Sequence, residues 1–145
     1  MFKFLKKTDN KKIEKVDIIS KTASLLIHAA KIDEKYTDNE KLIIRKTLVE
    51  IGADKENIDN LMNIAEQNEK NSNQILDFTK DIKSKDENFK TKLIESLWKI
   101  IYSDKNSDIY ETNLMRRLAG LLYLDNKLVG DIKEKVKKNF KKWPT

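Results

Sequence analysis

Cysteine is absent from this chain, proline occurs once and glycine three times. Without a thiol there is no disulfide framework, no thiolate metal site and no cysteine nucleophile. Three glycines cannot build a Gly-rich phosphate loop, and a single proline leaves long stretches free to be helical. The one histidine, His28, has no second histidine for a zinc pair and no serine or cysteine nucleophile at a recognisable spacing. No apolar run approaches the length that spans a bilayer. The start, Met1-Phe2-Lys3-Phe4-Leu5-Lys6-Lys7, runs into polar Thr8-Asp9-Asn10 and lacks the apolar centre of a secretion signal. The expectation is a cytoplasmic protein without enzyme signatures.

What is present suits one helical domain. The 145 residues are 39% hydrophobic, enough for a real core, and 37% charged with the signs interspersed. Residues 1–12 read as a flexible basic arm and 13–145 as the domain. The net charge of +6 concentrates at the N-terminal heptapeptide and at the tail from Lys133 to Trp143. Most of this charge reads as solvated surface. The alternative is contact with nucleic acid, or with anionic lipid at the inner face of the membrane, through these basic termini.

Periodicity then divides the chain. Ile19, Ala23, Leu26 and Ala30 predict a helix from about Val16 to Lys31. Thr37-Asp38-Asn39-Glu40 is a capping box opening a helix that carries Ile44, Leu48 and Ile51 and stops near Gly52. Asp54 is placed to cap a third helix with Ile58, Leu61, Met62 and Ala65. A polar break at Glu66–Asn73 precedes a short helix with Ile75, Phe78 and Ile82. Near Asp86 a long helix opens with Phe89, Leu93, Leu97 and Ile101 as its stripe and Trp98 beside it. Asp108 to Glu111 repeats the capping-box spacing before Met115, Leu118, Leu121 and Leu122. Asp125 is placed to cap a last helix through Leu128, Ile132, Val136 and Phe140. No segment alternates with a two-residue period, so the fold class is all-α, with about seven helices in a single domain.

The chain repeats one pattern. Asp33 ends the first apolar stripe and Glu40 begins the next; Asp104 and Glu111 do the same, and 104 minus 33 equals 111 minus 40, or 71. This register predicts an internal duplication around a pseudo-two-fold. Four carboxylates at the margin of a core need cations nearby. One supplier is arginine: Arg45 and Arg116 are also 71 apart, in a chain that otherwise uses lysine almost everywhere. The other is a divalent metal. Oxygen-only ligands favour Ca²⁺ or Mg²⁺, and two turns side by side are needed to offer enough of them. The candidate metal ligands are Asp33, Glu40, Asp104 and Glu111.

The run Leu97-Trp98-Lys99-Ile100-Ile101-Tyr102-Ser103-Asp104, with Tyr110-Glu111 and Leu114-Met115-Arg116-Arg117-Leu118, resembles the second half of TerB-like proteins, the tellurite-resistance B family. Leu25 to Asp33 and Asp38-Asn39-Glu40 are similar to the first half. Where that family has Gly after each Asp, this chain has Glu34 and Lys105. The resemblance implies an all-α fold with internal duplication, divalent-metal binding at the paired acidic turns and a place in stress-response assemblies. Combined with the residues, it leads to a non-enzymatic module that binds a protein partner, and a divalent cation, through those turns.

Overall fold

Two helices, α1 (residues 17–30) and α5 (Glu87–Ser103), have side chains buried on nearly every face. In α1 not only the predicted stripe but also Leu25, Ile27 and Ala29 are buried. A helix buried on nearly every face must be surrounded, and the others do this. The computed structural model describes residues 17–31, 36–71, 75–103 and 109–141. Within them lie α2 (Asp38–Glu50), α3 (Ile58–Asn71), the short α4 (Leu76–Thr79), α6 (Ile109–Leu121) and α7 (Asn126–Lys141). Single 3₁₀ turns cover Lys55–Asn57 and Ile82–Ser84. Among the described residues there is no strand, and the seven helices form an all-α single domain. The expected N-terminal arm, residues 1–12, lies outside the described residues.

Helix α5 packs chiefly on α7 and on α2, while α6 lies against α7 and α4. The core is continuous through Leu26, Ile44, Leu48, Leu93, Leu97, Met115 and Leu118. Burying helices this closely forces their few polar groups to find partners inside. Thr22 and Ser24 donate to carbonyls one turn back, at Ile18 (2.8 Å) and Ser20 (3.0 Å), and the Ser24 hydroxyl also lies 3.1 Å from the α3 carbonyl of Ala65. Between α2 and α5, the Thr47 and Ser96 hydroxyls meet at 2.5 Å. Thr47 donates its one proton to the Ile43 carbonyl, so Ser96 is the donor of that pair. The Trp98 indole N–H donates to the α7 carbonyl of Val129 at 3.1 Å.

Helix ends follow local chemistry, with two exceptions. Asp125 accepts from Lys127 N at 3.1 Å, the expected cap, and Asp86, near the expected opening of α5, accepts from Phe89 N at 2.9 Å. Asp54 makes no such bond; a 3₁₀ turn stands between it and α3. The predicted polar break from Glu66 is instead the last turn and a half of α3, which runs to Asn71. Its polar residues turn toward α1, where Glu69 meets Lys31 at 2.9 Å, so ion pairing replaces apolar packing and hides the helix from a hydrophobicity count.

Helix α6 begins and ends 71 residues after α2, since 109 minus 38 and 121 minus 50 agree. Both close with the same C-terminal motif. Ala53 N donates to Leu48 O and Leu124 N to Ala119 O, each at 2.8 Å; Gly52 N donates to Val49 O and Tyr123 N to Gly120 O. Each motif needs a positive φ, found at Gly52 (116°) and at Tyr123 (57°). Glycine takes that conformation freely and tyrosine does not. Tyr123→Gly is therefore expected to raise stability by roughly 0.5–1 kcal/mol, and Gly52→Ala to lower it by about 1–2 kcal/mol, in urea unfolding.

One surface ion pair ties α1 to the segment after α4. Lys21 bonds Asp81 and lies 3.1 Å from Asp17. The ammonium of Lys21 holds the Asp81 carboxyl below its ordinary value, and Asp81 in turn raises Lys21. A lowered carboxylate stabilises above its unfolded value and ceases to as pH falls through the folded one; a raised lysine stabilises until pH climbs past it. The pair therefore acts between roughly pH 4 and pH 10. Asp81 is half-exposed, so the effect is modest. In thermal unfolding at several pH values, Asp81→Asn should be less stable than the parent at pH 7, and the difference should shrink as pH falls below the ordinary carboxylate value.

Candidate functional site

The first acidic turn is anchored by its far end. Thr37, in extended conformation, accepts from Glu40 N at 3.1 Å, while Glu40 Oε1 accepts from Thr37 N at 2.9 Å. This is the predicted capping box, and it draws the Glu40 carboxylate to 2% exposure at the start of α2. Beside it the Tyr36 oxygen is buried, with no partner at hydrogen-bond geometry among the described residues. Burial first, and then the carboxylates of Glu66 and Glu40, push this phenol far above its ordinary range, against a smaller pull from Arg45. The hydroxyl is a neutral donor at all physiological pH.

Cations gather on the ring of Tyr36, with Lys41 Nζ at 4.9 Å and Lys31 Nζ at 5.7 Å from its centroid. Lys31 sits at the C-terminal end of α1, where positive charge suits the helix dipole, and bridges to Glu69 Oε2. Glu69 Oε1 stands 3.5 Å from His28 Nδ1, and the His28 ring lies 6.4 Å from that of Phe78. His28 is thus a helix residue within an ion-pair cluster between α1 and α3. The turn is flanked by a charge network rather than by bare core.

Of the four predicted ligands, Glu40 is the one whose side chain the structure describes. Asp33 and Asp104 lie outside the described residues. Glu111 is the third residue of α6, as Glu40 is the third of α2, and its side chain lies outside the description. Among the described residues no group of three or more acids or histidines is placed to hold a metal ion. Of the two arginines at the 71-residue spacing, one is seen in an ion pair among the described residues. Arg45 reaches outward to exposed Asp59, at 2.7 Å, because position 45 follows buried Ile44 on the outer side of α2. Arg116 lines a pocket.

That pocket was not foreseen. It measures about 360 Å³ and lies between α5, α6 and α7, lined by Trp98, Met115, Arg116, Asn126, Val129, Gly130 and Lys133. Its one sequence signal is a glycine in mid-helix, at Gly130, where a packing or functional reason is the usual cause. The basic tail also changes character. Up to Lys141 it is part of α7, whose Val129, Ile132 and Val136 are buried. Those residues are spent on the core, so they cannot enter a lipid surface while α7 stays docked on α5.

Among known proteins, a family model described as Tellurite resistance protein TerB matches residues 20–134. The chain belongs to the TerB family. Comparison with curated proteins and with solved structures gives no match. The TerB match runs from α1 into α7 and covers both acidic stretches of the sequence and the pocket, but excludes the basic heptapeptide and all but the first two residues of the tail. Among the described residues of this TerB domain no helix is long and apolar enough to cross a membrane.

Disabling the capping box should measure how firmly the first turn is held. Thr37→Ala is expected to cost about 1 kcal/mol in denaturant unfolding. Glu40→Ala should cost more, because it also strands the Thr37 amide and empties a buried site.

Proposed function

We propose that this TerB chain is a non-enzymatic, cytoplasmic module of a tellurite-resistance-type stress response, which holds a protein partner and a divalent cation through its two acidic turns. The observation that carries the reading is the repeated frame of α2 and α6. Their bounds and C-terminal motifs recur at the 71-residue offset of the sequence repeat. Glu40 and Glu111 are the third residue of equivalent helices, each reached from a turn that begins with an Asp. We infer from this an internal duplication that gives the two turns like roles.

Asp33, Glu40, Asp104 and Glu111 would make an all-oxygen donor set, the kind that suits Ca²⁺ or Mg²⁺. Ca²⁺ takes six to eight oxygens, so two carboxylates from one turn do not satisfy it and both turns must contribute. The rigid Glu40 end supports this reading, since a ligand already fixed by Thr37 loses little freedom on binding. The cation would supply the positive charge that partly buried carboxylates require and would join the two halves. A partner protein would then read the turns in their ordered form.

The alternative through the basic termini is weaker, because those segments fall largely outside the family match and part of the tail is docked in α7.

Thermal unfolding with Ca²⁺, Mg²⁺ or Mn²⁺ tests the cation. A ligand bound only by the folded state stabilises by about 2.7 kcal/mol at a hundredfold excess over Kd. A clear rise in Tm at millimolar ion is expected, and Asp104→Asn with Glu111→Gln should abolish it. No rise, or a rise that survives both substitutions, sinks the cation reading.

A further inference from the structure

The pocket between α5, α6 and α7 has a construction of its own. Its apolar surface comes from Trp98, Met115 and Val129, and it is roomy where Gly130 has no side chain; a Cβ built there meets nothing within 4 Å. Two cations stand at it, Arg116 from α6 and Lys133 from α7. Lys133 Nζ lies 5.3 Å above the Trp98 ring. One turn further along, Lys137 covers Tyr102 in the same way, at 6.0 Å, and the two rings stack with centroids 6.1 Å apart. The indole edge is already satisfied by the Val129 carbonyl, so the ring is rigidly held and offers a preformed apolar wall.

We propose that this pocket docks an acidic segment of a partner protein, which inserts one bulky apolar side chain beside Trp98 and sets its carboxylates against Arg116, Lys133 and Lys137. The volume decides for a side chain. About 360 Å³ is at the lower end of ligand cavities, so an open pocket of this size buries one anchor and leaves the rest of a ligand outside. What lies outside is basic, and arginine and lysine next to an apolar anchor site favour carboxylates. The chain's own N-terminal heptapeptide has apolar residues to offer but carries Lys3, Lys6 and Lys7 and no acid, so the same charges repel it. Nucleic acid fits less well. Asp131 and Glu134 interrupt the lysines of α7, and a phosphate backbone needs an unbroken cationic track. The proposal uses none of the four acidic-turn residues, and it stands whether or not those hold a cation.

Panning random displayed dodecapeptides on the whole protein tests the proposal, with Gly130→Leu as the counter-target. That variant fills the pocket with a good helix former, and its thermal unfolding midpoint reports that it folds. Lys133→Glu serves as a second variant should it not. Enriched peptides should share one bulky apolar residue flanked by Asp or Glu. A synthetic copy should lose roughly tenfold or more in affinity when its anchor becomes Ala, and similarly on each variant. Its affinity should also weaken as salt rises. The proposal is overturned if no such peptide enriches, if enriched peptides bind folded Gly130→Leu equally well, or if the shared feature is basic. It is equally overturned if Gly130→Leu abolishes binding to anionic vesicles or oligonucleotide, or self-association in sedimentation, while no acidic peptide enriches.

Discussion

Because α1 and α5 have almost no free face, every other helix is placed by the need to cover them. This single constraint explains the polar chemistry of the interior. A buried hydroxyl or indole N–H without a partner costs on the order of 1–3 kcal/mol, and the interior meets that demand with short-range solutions. Thr22 and Ser24 bond back along their own helix, Ser96 to Thr47 across α2, and Trp98 to the Val129 carbonyl across α7. The last two bonds fix the rotation of α5 against its principal neighbours. Apolar packing alone tolerates sliding, whereas a donor that must meet one particular oxygen does not.

The same two helices come just before the two acidic segments of the sequence. α1 and α5 are the buried helices that precede Asp33 and Asp104 in the chain, and α2 and α6 are the helices that follow them. These outgoing helices share length, register and terminal motif, yet they spend different residues on the same backbone demand. Gly52 meets a positive φ without steric cost; Tyr123 meets it with a Cβ. The Tyr123 ring is 74% exposed, so no core burial offsets that strain. What remains for it is Lys83, 5.8 Å from its centroid, a contact worth only a fraction of a kcal/mol on a solvated surface.

Sequence patterns disclosed those parts of the fold that local chemistry decides. The Thr37–Glu40 box, the Asp125 cap and the stop at Gly52 are each made by residues within a few positions of one another, so spacing alone reveals them. Asp54 misled because capping needs a geometry as well as a residue type. The end of α3 misled because its inward side is charged: Glu69 faces Lys31 and His28, and a periodicity of apolar residues cannot register an ionic contact. Arg45 lies next to Ile44 on the sequence but on the opposite side of the core surface, which only the packing of α2 reveals. For the candidate metal site, the far end of one turn was legible in full, since the capping box that buries Glu40 is a local motif. The pocket was not, because it takes its walls from three helices and its space from an absent side chain.

That difference bears on how such a module acquires more than one surface. The first acidic segment is tied to the core at Glu40, which the capping box buries at the start of α2, so moving that carboxylate disturbs the helix start. The pocket carries no such obligation. Its walls are core residues held for other reasons, with Trp98 fixed by Val129 and Met115 buried among the leucines of α6. Gly130 puts no side chain into it, and Arg116 and Lys133 supply its charge. Arg45, 71 residues before Arg116, pairs with exposed Asp59. A glycine in mid-helix is unfavourable by roughly 1 kcal/mol relative to alanine. Nothing in the packing requires that loss, since a methyl group would meet no atom there. The cost is understandable if the space itself is what the position provides.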